Sequence, residues 1–411
     1  MNKKYKEKKM VGLMLSLLFF THALAQKNAQ NKLRELRIDP EAQLSAISVS
    51  EHFLVNYQPF ESGKESLFGW IAQMEISKNR IVVLNHGYRR TNKGNWSAIL
   101  IFDRQGRFIN KMMLQRVNRF AMDYEREEIS FFNMYEHTWY FYDNKGKLLR
   151  KHRLERRNLP EYASLSNREF ILFRTYTNTS GSYELLQDTT KGLMPAIAVA
   201  TEDLQVKRSF LPFDTTVMDD SMLGIEKNYF QSGQQAVISI PYHSMLFAFD
   251  GNNLVPTHRF MLPLKSTLPA DFMQNKIYRN KRQDYLKAHP DMVYAADKCY
   301  RAGKYFTFTL LNSHVESLLR NFIYDESNNT YFRLQDLQPD EGNHFLPLND
   351  DMLASDGESL IGIISAKTLI DHVEKMHAAG EKVILPATLQ VIMKNADKPQ
   401  NAILVKLTPK P

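Results

Sequence analysis

The chain has 411 residues, with 53 Lys+Arg against 45 Asp+Glu, a single cysteine, and 25 Phe, 19 Tyr and 3 Trp. A hydrophobic content of 43% beside 24% charged residues is a globular composition, which excludes disorder, a collagen-like repeat and a disulfide scaffold. So many aromatics favour strands, and the net charge of +8 raises the question of an acidic partner.

The N terminus answers part of that question. Residues 2–9 (NKKYKEKK) are basic, Val11 to Phe20 is an apolar run, and Ala23-Leu24-Ala25 is a small-x-small pattern. This reads as a secretory signal peptide over residues 1–25, cleaved after Ala25. The run is too short for a membrane span, which needs about 20 residues. No cysteine follows it, so a bacterial lipid anchor is not expected, and no later stretch is long and apolar enough to cross a bilayer. Removing five Lys and one Glu with the leader lowers the net charge from +8 to +4. The remaining basic runs, KHRLERR (151–157) and YRNKRQ (278–283), are short and scattered, unlike the basic stripe of a nucleic-acid binder. Cys299, the lone cysteine, has no partner for an internal disulfide and reads as a buried thiol at the start of a strand.

After a tether over 26–44, a repeat emerges. Each unit has a short first strand, a second strand, a loop, a third strand ending near aromatic-Asp, a tight turn and a fourth strand. The first copy carries GWIAQMEIS (69–77), RIVVLN (80–85), SAILIFD (97–103) and RFINKMML (107–114). The second carries RFAMDY (119–124), EISFFNM (128–134), TWYFYD (138–143) and KLLRKHRL (147–154). Later copies begin at YASLS (162–166), SMLGIEK (221–227), MVYAADKCY (292–300) and HFLPLNDDML (344–353). In the turns after Asp103 and Asp143, the aspartate accepts local amide donors while Gly106 or Gly146 supplies positive φ.

Units of about 40–45 residues with four strands are propeller blades. Six of them occupy most of residues 60–411. The strands lack a clean polar face, as expected where each is packed between neighbouring blades. HFLVNYQPF (52–60) has no blade of its own and is expected beside NAILVKL (401–407), closing the ring at the last blade. The fold class is therefore an all-β six-bladed propeller, domain 45–411, with four-stranded blades and an N-terminal closing strand.

The run ESGKESLFGWIAQMEISKNRIVVLN (61–85), followed by AILIFDRQGRFINKM (98–112), resembles the six-bladed β-propeller family common in secreted proteins of Bacteroidetes. There a polar turn and Leu-x-Gly open the first blade, and an aromatic-Asp-x-x-Gly-Lys/Arg-Phe hairpin closes it. DGESLIGIISAKTLIDHVEKM (356–376) and NAILVKLTPKP (401–411) look like that family's last blade and clasp strand. The resemblance covers residues 45–411. It implies a propeller outside the cytoplasm and supplies no catalytic residues.

Two segments depart from the repeat. Residues 268–289 are expected to be helical, with Pro269 and Asp271 near the start and a basic run later. Residues 365–380 are expected to form a helix capped by Ser365 and ended by Gly380, with Leu369, Val373 and Met376 on one face.

The loops after the second strands carry His86, His137, His243 and His314, which propeller topology brings towards one end. With Arg89, Arg90, Tyr135, Tyr176 and Tyr242 they form the candidate ligand-binding set, suited to flat contacts and directional donors. Trp139 lies in so aromatic a strand that it reads as core. Asp219-Asp220, Asp350-Asp351 and Asp356 read as turn residues. No Cys/His pair has zinc spacing, and no nucleophile elbow, Walker loop or dinucleotide fingerprint is present, so neither metal nor cofactor is expected. Together these features describe a monomeric periplasmic or secreted module that binds a glycan, a peptide or an envelope protein. The competing class is a hydrolase or lyase centred on the channel and using the inner-loop His and Arg.

Overall fold

A computed structural model describes residues 33–91, 94–115, 117–154, 159, 161–173, 193–214, 216–217, 227–313, 321–349, 351–381 and 383–411. The expected leader, and Asp219, Asp220 and Asp350, lie outside them.

The molecule is a β-propeller. Four separate four-stranded sheets each run through consecutive strands of the chain. The first contains Ile71–Ile76, Arg80–Thr91, Gly94–Asp103 and Phe108–Gln115. The second contains Ala121–Asp123, Glu128–Asn133, Thr138–Tyr142 and Leu148–Arg153. The third contains Glu161–Ser164, Glu169–Phe173, Leu193–Thr201 and Val206–Asp214, and another Ala295–Ala302, Tyr305–Leu311, Asn321–Asp325 and Thr330–Arg333.

The expected fourth and sixth blades are not separate sheets, so the expectation of six separate blades is corrected to four. Their strands belong to one nine-stranded sheet. One part holds Tyr229–Ser232, Gln235–Ser239, Met245–Phe249 and Leu254–Met261, and the other Ala354–Ser355, Leu360–Ile364, Ile403–Pro409 and Phe53–Pro59. A single parallel pair, Ser232 with Ser355, joins the two. Its physical cause is the close approach of two glycines beside that pair. Gly233 and Gly357 both have positive φ, and a Cβ on Gly233 would stand 2.9 Å from the Asp356 carbonyl oxygen.

The ends of the chain are tied into the sheets. Phe53–Pro59 pairs antiparallel with Ile403–Pro409 over seven residues. Arg34–Arg37, within the stretch expected as a tether, runs parallel to the outer strand Leu254–Met261. Between these two strands, Ile47–Ser48 pairs with Leu337–Gln338, and the Asp39 amide donates to the Tyr331 hydroxyl at 3.0 Å.

The hairpins follow their sequence chemistry. Asp103 Oδ1 accepts from the amides of Gln105 and Arg107, and Asp143 Oδ1 from those of Lys145 and Lys147. Gly106 and Gly146 have φ of 77° and 80°. The central strands of the first sheet are buried on both faces from Ala98 to Phe102, and Trp139 is fully buried with its indole N–H on Tyr162 Oη. Cys299 is likewise fully buried, and burial pushes its thiol up.

Ala366–Ala378 forms a helix, and Ser365 Oγ accepts from the Thr368 amide at 2.9 Å. A second helix, Ala387–Lys394, follows and lies against Phe53–Pro59. The expected helix over 268–289 is reduced to Arg282–Ala288. Before it, Asn275 caps a short 3-10 turn by accepting from the Ile277 amide, and Asn280 has φ of 56°, which a continuous helix excludes. Buried Arg282 then donates to the Phe272 and Val217 carbonyls, folding the segment back on itself. No helix among the described residues is long and apolar enough to cross a membrane.

Candidate functional site

The first strands of the sheets face a common centre. Ile71–Ile76, Ala121–Asp123, Glu161–Ser164, Tyr229–Ser232 and Ala295–Ala302 all contribute to one cavity of about 820 Å³. Its lining also includes residues before these strands, Trp70, Asn118, Arg119 and Lys227, together with Asp351, His86 and Met134. The far ends of Tyr229–Ser232 and Ala295–Ala302 are drawn together with the strand Ala354–Ser355. The Arg301 amide donates to Ser232 Oγ at 2.9 Å, and Ser355 Oγ donates to the Arg301 carbonyl at 2.6 Å. The cavity opens to solvent where its lining residues Trp70, Asn118, Arg119 and Met134 are exposed, and this is its mouth.

Three ion pairs lie along the wall. Glu75, in the apolar strand Ile71–Ile76, is nearly buried and receives Lys227 Nζ, the Tyr124 hydroxyl and, at 3.0 Å, Gln73 Nε2. Glu161 faces Arg119 and accepts from the Asn228 amide at 2.8 Å. Lys298, in the strand Ala295–Ala302, pairs with Asp351 in the loop before Ala354–Ser355. Burial pushes the phenols of Tyr124, Tyr229 and Tyr300 up, and the Glu75 charge adds to the effect. They stay protonated at neutral pH and serve as hydrogen-bond donors; Tyr300 Oη donates to the Leu353 carbonyl at 2.7 Å. Burial also holds the Glu161 carboxyl above its usual range, against the pull of Arg119.

His86 and Trp70 stand at the mouth. His86 Nε2 lies 3.2 Å from the Asn118 carbonyl, which makes this nitrogen the N–H donor. The His86 ring meets the Trp70 indole edge-on, at 5.8 Å between centroids and 80° between planes. Asn85 Nδ2 donates to the Trp70 carbonyl at 2.8 Å and fixes the backbone beneath the indole.

The sequence-derived set is only partly gathered here. Among its described members, His86 alone lines the cavity. Tyr135 is exposed in the turn of the second sheet, and His137, also in that turn, has φ of 49°. Tyr242 is buried against Phe272, its amide on the Tyr294 carbonyl. His243 packs against Phe247, and burial lowers its pKa. Arg89 and Arg90 are in strand register with Trp96 and Asn95. Their side chains, with Tyr176 and His314, lie outside the described residues. Asp356 accepts from the Glu358 and Ser359 amides as a turn residue and also pairs with Arg104.

Sequence reasoning passed over Trp70, Glu75, Arg119, Glu161 and Lys227. One signal was available: Glu75 interrupts the apolar strand IAQMEI, and a carboxylate there requires a partner. Among the described residues, no three His, Cys, Asp or Glu side chains gather as a metal-holding group.

Comparison with solved structures places the fold at low identity. The "Putative exported protein" of Bacteroides fragilis NCTC 9343 is similar at a TM-score of 0.60 and 12% identity, covering 92% of this chain and 100% of that one. A member of the duf4221 family from Bacteroides vulgatus ATCC 8482 has a TM-score of 0.45 at 10% identity, covering 90% and 98%. The β-propeller domain of the Trilobed protease from Pyrococcus furiosus has a TM-score of 0.33 at 9% identity, covering 72% and 90%. No curated protein matches the sequence. The family model described as "Domain of unknown function (DUF4934)" matches residues 37–408.

Proposed function

The chain belongs to the DUF4934 family, a domain family of unknown function, and from that premise we propose an extracytoplasmic six-bladed propeller that binds its ligand at the cavity mouth. The count of six takes the nine-stranded sheet as two blades meeting at the Ser232–Ser355 pair, one of four consecutive strands and the other of three consecutive strands completed by Phe53–Pro59. Export is supported by the basic, apolar and Ala-x-Ala order of residues 1–25, and by the described export of the Bacteroides fragilis protein of similar fold. On this reading the leader is followed by a segment, 26–44, whose strand Arg34–Arg37 docks on Leu254–Met261, and by a monomeric domain, 45–411. The ligand is a glycan, a peptide or an envelope protein.

One observation carries the choice of a binding module over an enzyme. Three pairs of ionic side chains around the cavity are engaged with one another, Glu75 with Lys227, Glu161 with Arg119, and Asp351 with Lys298, and the buried lining carboxylate Asp297 accepts from the Lys298 amide at 2.8 Å. A hydrolase needs a base or nucleophile poised towards its substrate, whereas these pairs make a fixed polar wall suited to recognition.

The test uses the processed chain, which should begin at Gln26 by mass when taken from the periplasm or medium. Glycan, peptide and envelope-protein panels are screened by calorimetry, and each hit is repeated with His86→Ala and with Met134→Arg, Met134 being an exposed residue that lines the same cavity. Loss of affinity of about tenfold or more, with an unchanged melting temperature, supports the reading. Hits indifferent to both variants overturn the site. Turnover of a panel compound that disappears in His86→Ala replaces the binding module with the enzyme.

A further inference from the structure

The class of ligand follows from how the mouth is built, given that the mouth is the binding site. Trp70 is 70% exposed. An indole left in water forgoes the stabilisation of burial, so a large exposed ring at a cavity is an informative feature. This ring is also held in place. Asn85 ties its backbone, the His86 ring braces its edge, and His86 is itself fixed by the Asn118 carbonyl. A preorganised aromatic surface loses little conformational freedom when a flat partner covers it.

The wall behind the indole selects against charge. An anionic ligand would compete with Glu75, Glu161 or Asp351 for their cations, and a cationic ligand with Lys227, Arg119 or Lys298 for their carboxylates. Either would leave a partly buried ion without its counter-charge, which is strongly unfavourable. A neutral polyhydroxylated ligand breaks no pair. Its hydroxyls donate to carboxylate lone pairs and accept from guanidinium and ammonium N–H groups at the same time. Such a ligand that also carries a flat C–H face is a pyranose. The cavity of about 820 Å³ is within the size range of small-molecule sites.

We propose that the mouth binds a neutral saccharide, with one pyranose ring stacked on Trp70 and its hydroxyls on the Arg119–Glu161 pair. The assignment rests on the cavity mouth being the ligand site, and it narrows the ligand to one chemical class.

The mature chain is titrated with neutral gluco-, xylo-, manno-, galacto- and chito-oligosaccharides, with uronate and sulfated oligosaccharides, and with neutral and charged peptides. Tryptophan fluorescence and calorimetry are the readouts. At least one neutral series should bind and perturb the fluorescence, with affinity changing less than about twofold between roughly 0.05 and 0.5 M salt. Trp70→Ala should weaken it by about tenfold or more, and Trp70→Tyr by less than about threefold. The residue is exposed, so both variants should melt with the wild type. Failure of every neutral series to bind overturns the saccharide assignment, as does neutral binding indifferent to Trp70→Ala. If peptides or charged oligosaccharides bind instead and lose affinity in His86→Ala, the saccharide is wrong and the mouth remains the site. If a saccharide binds but ignores Trp70→Ala, His86→Ala and Met134→Arg alike, the site reading falls as well.

Discussion

Gly362 shows how one small residue shapes the cavity wall. It lies in the strand Leu360–Ile364, where a Cβ would meet Asn349 Nδ2 at 2.2 Å and the Asp351 carbonyl oxygen at 2.5 Å. Asn349 is buried and donates to that same carbonyl at 2.7 Å, so it has little room to retreat. Asp351 in turn holds Lys298 at the cavity. Gly362→Ala should therefore lower stability by about 1–3 kcal/mol, as overpacking does, and weaken ligand binding through the displaced Asp351. Urea denaturation with wild-type behaviour would refute this. At the same scale, turn residues such as Asp103 and Gly106 were legible in sequence because their bonds are local. Glu75 and Lys227 were not, because 152 positions separate them and only the ring brings them together.

Strands and their alternation were readable as elements, because a strand packed on both faces is an apolar run bounded by turn residues. The capped helix after Ser365 was readable for the same local reason. Residues 268–289 were not, because a helical composition there yields to the turn at Asn275, the left-handed Asn280 and the buried Arg282. The strand Ile403–Pro409 lies between Leu360–Ile364 and Phe53–Pro59, with Val405 opposite both Gly362 and Tyr57. Val405→Pro removes an amide from an interior strand and should cost about 3 kcal/mol or more. The opened edge should also promote self-association. Denaturation together with light scattering checks both effects, and a monomer of wild-type stability would show that the clasp contributes nothing.

For the whole molecule, stability depends on pH through groups spread over many sheets. Asp103, Glu127, Glu202, Glu326 and Asp340 are held below their usual range, each by hydrogen bonds or cations that outweigh burial. Such carboxylates bind protons more readily when unfolded, so their contribution is present above their ordinary 3.8 or 4.5 and is lost as pH falls through the folded value. Burial lowers His243 and His258 from 6.5, so acid also favours the unfolded chain through them, beginning below that pH. Glu161, raised by burial, works in the opposite direction. The melting temperature should begin to fall below about pH 6.5 through the histidines and fall more steeply below about pH 4.5 as the carboxylates are protonated, and a flat calorimetric profile from pH 7 to pH 3 would contradict the balance of these groups. Composition, repeat length and turn chemistry determined the all-β propeller class by themselves, since burial pattern and hairpin bonds are written within a few tens of residues. The tertiary structure alone decided that two expected blades share one sheet, and that Trp70, Arg119, Glu75 and Glu161 line one cavity. Those outcomes depend on backbone approach and charge pairing between residues far apart in the chain, and ring closure is what brings them within contact distance.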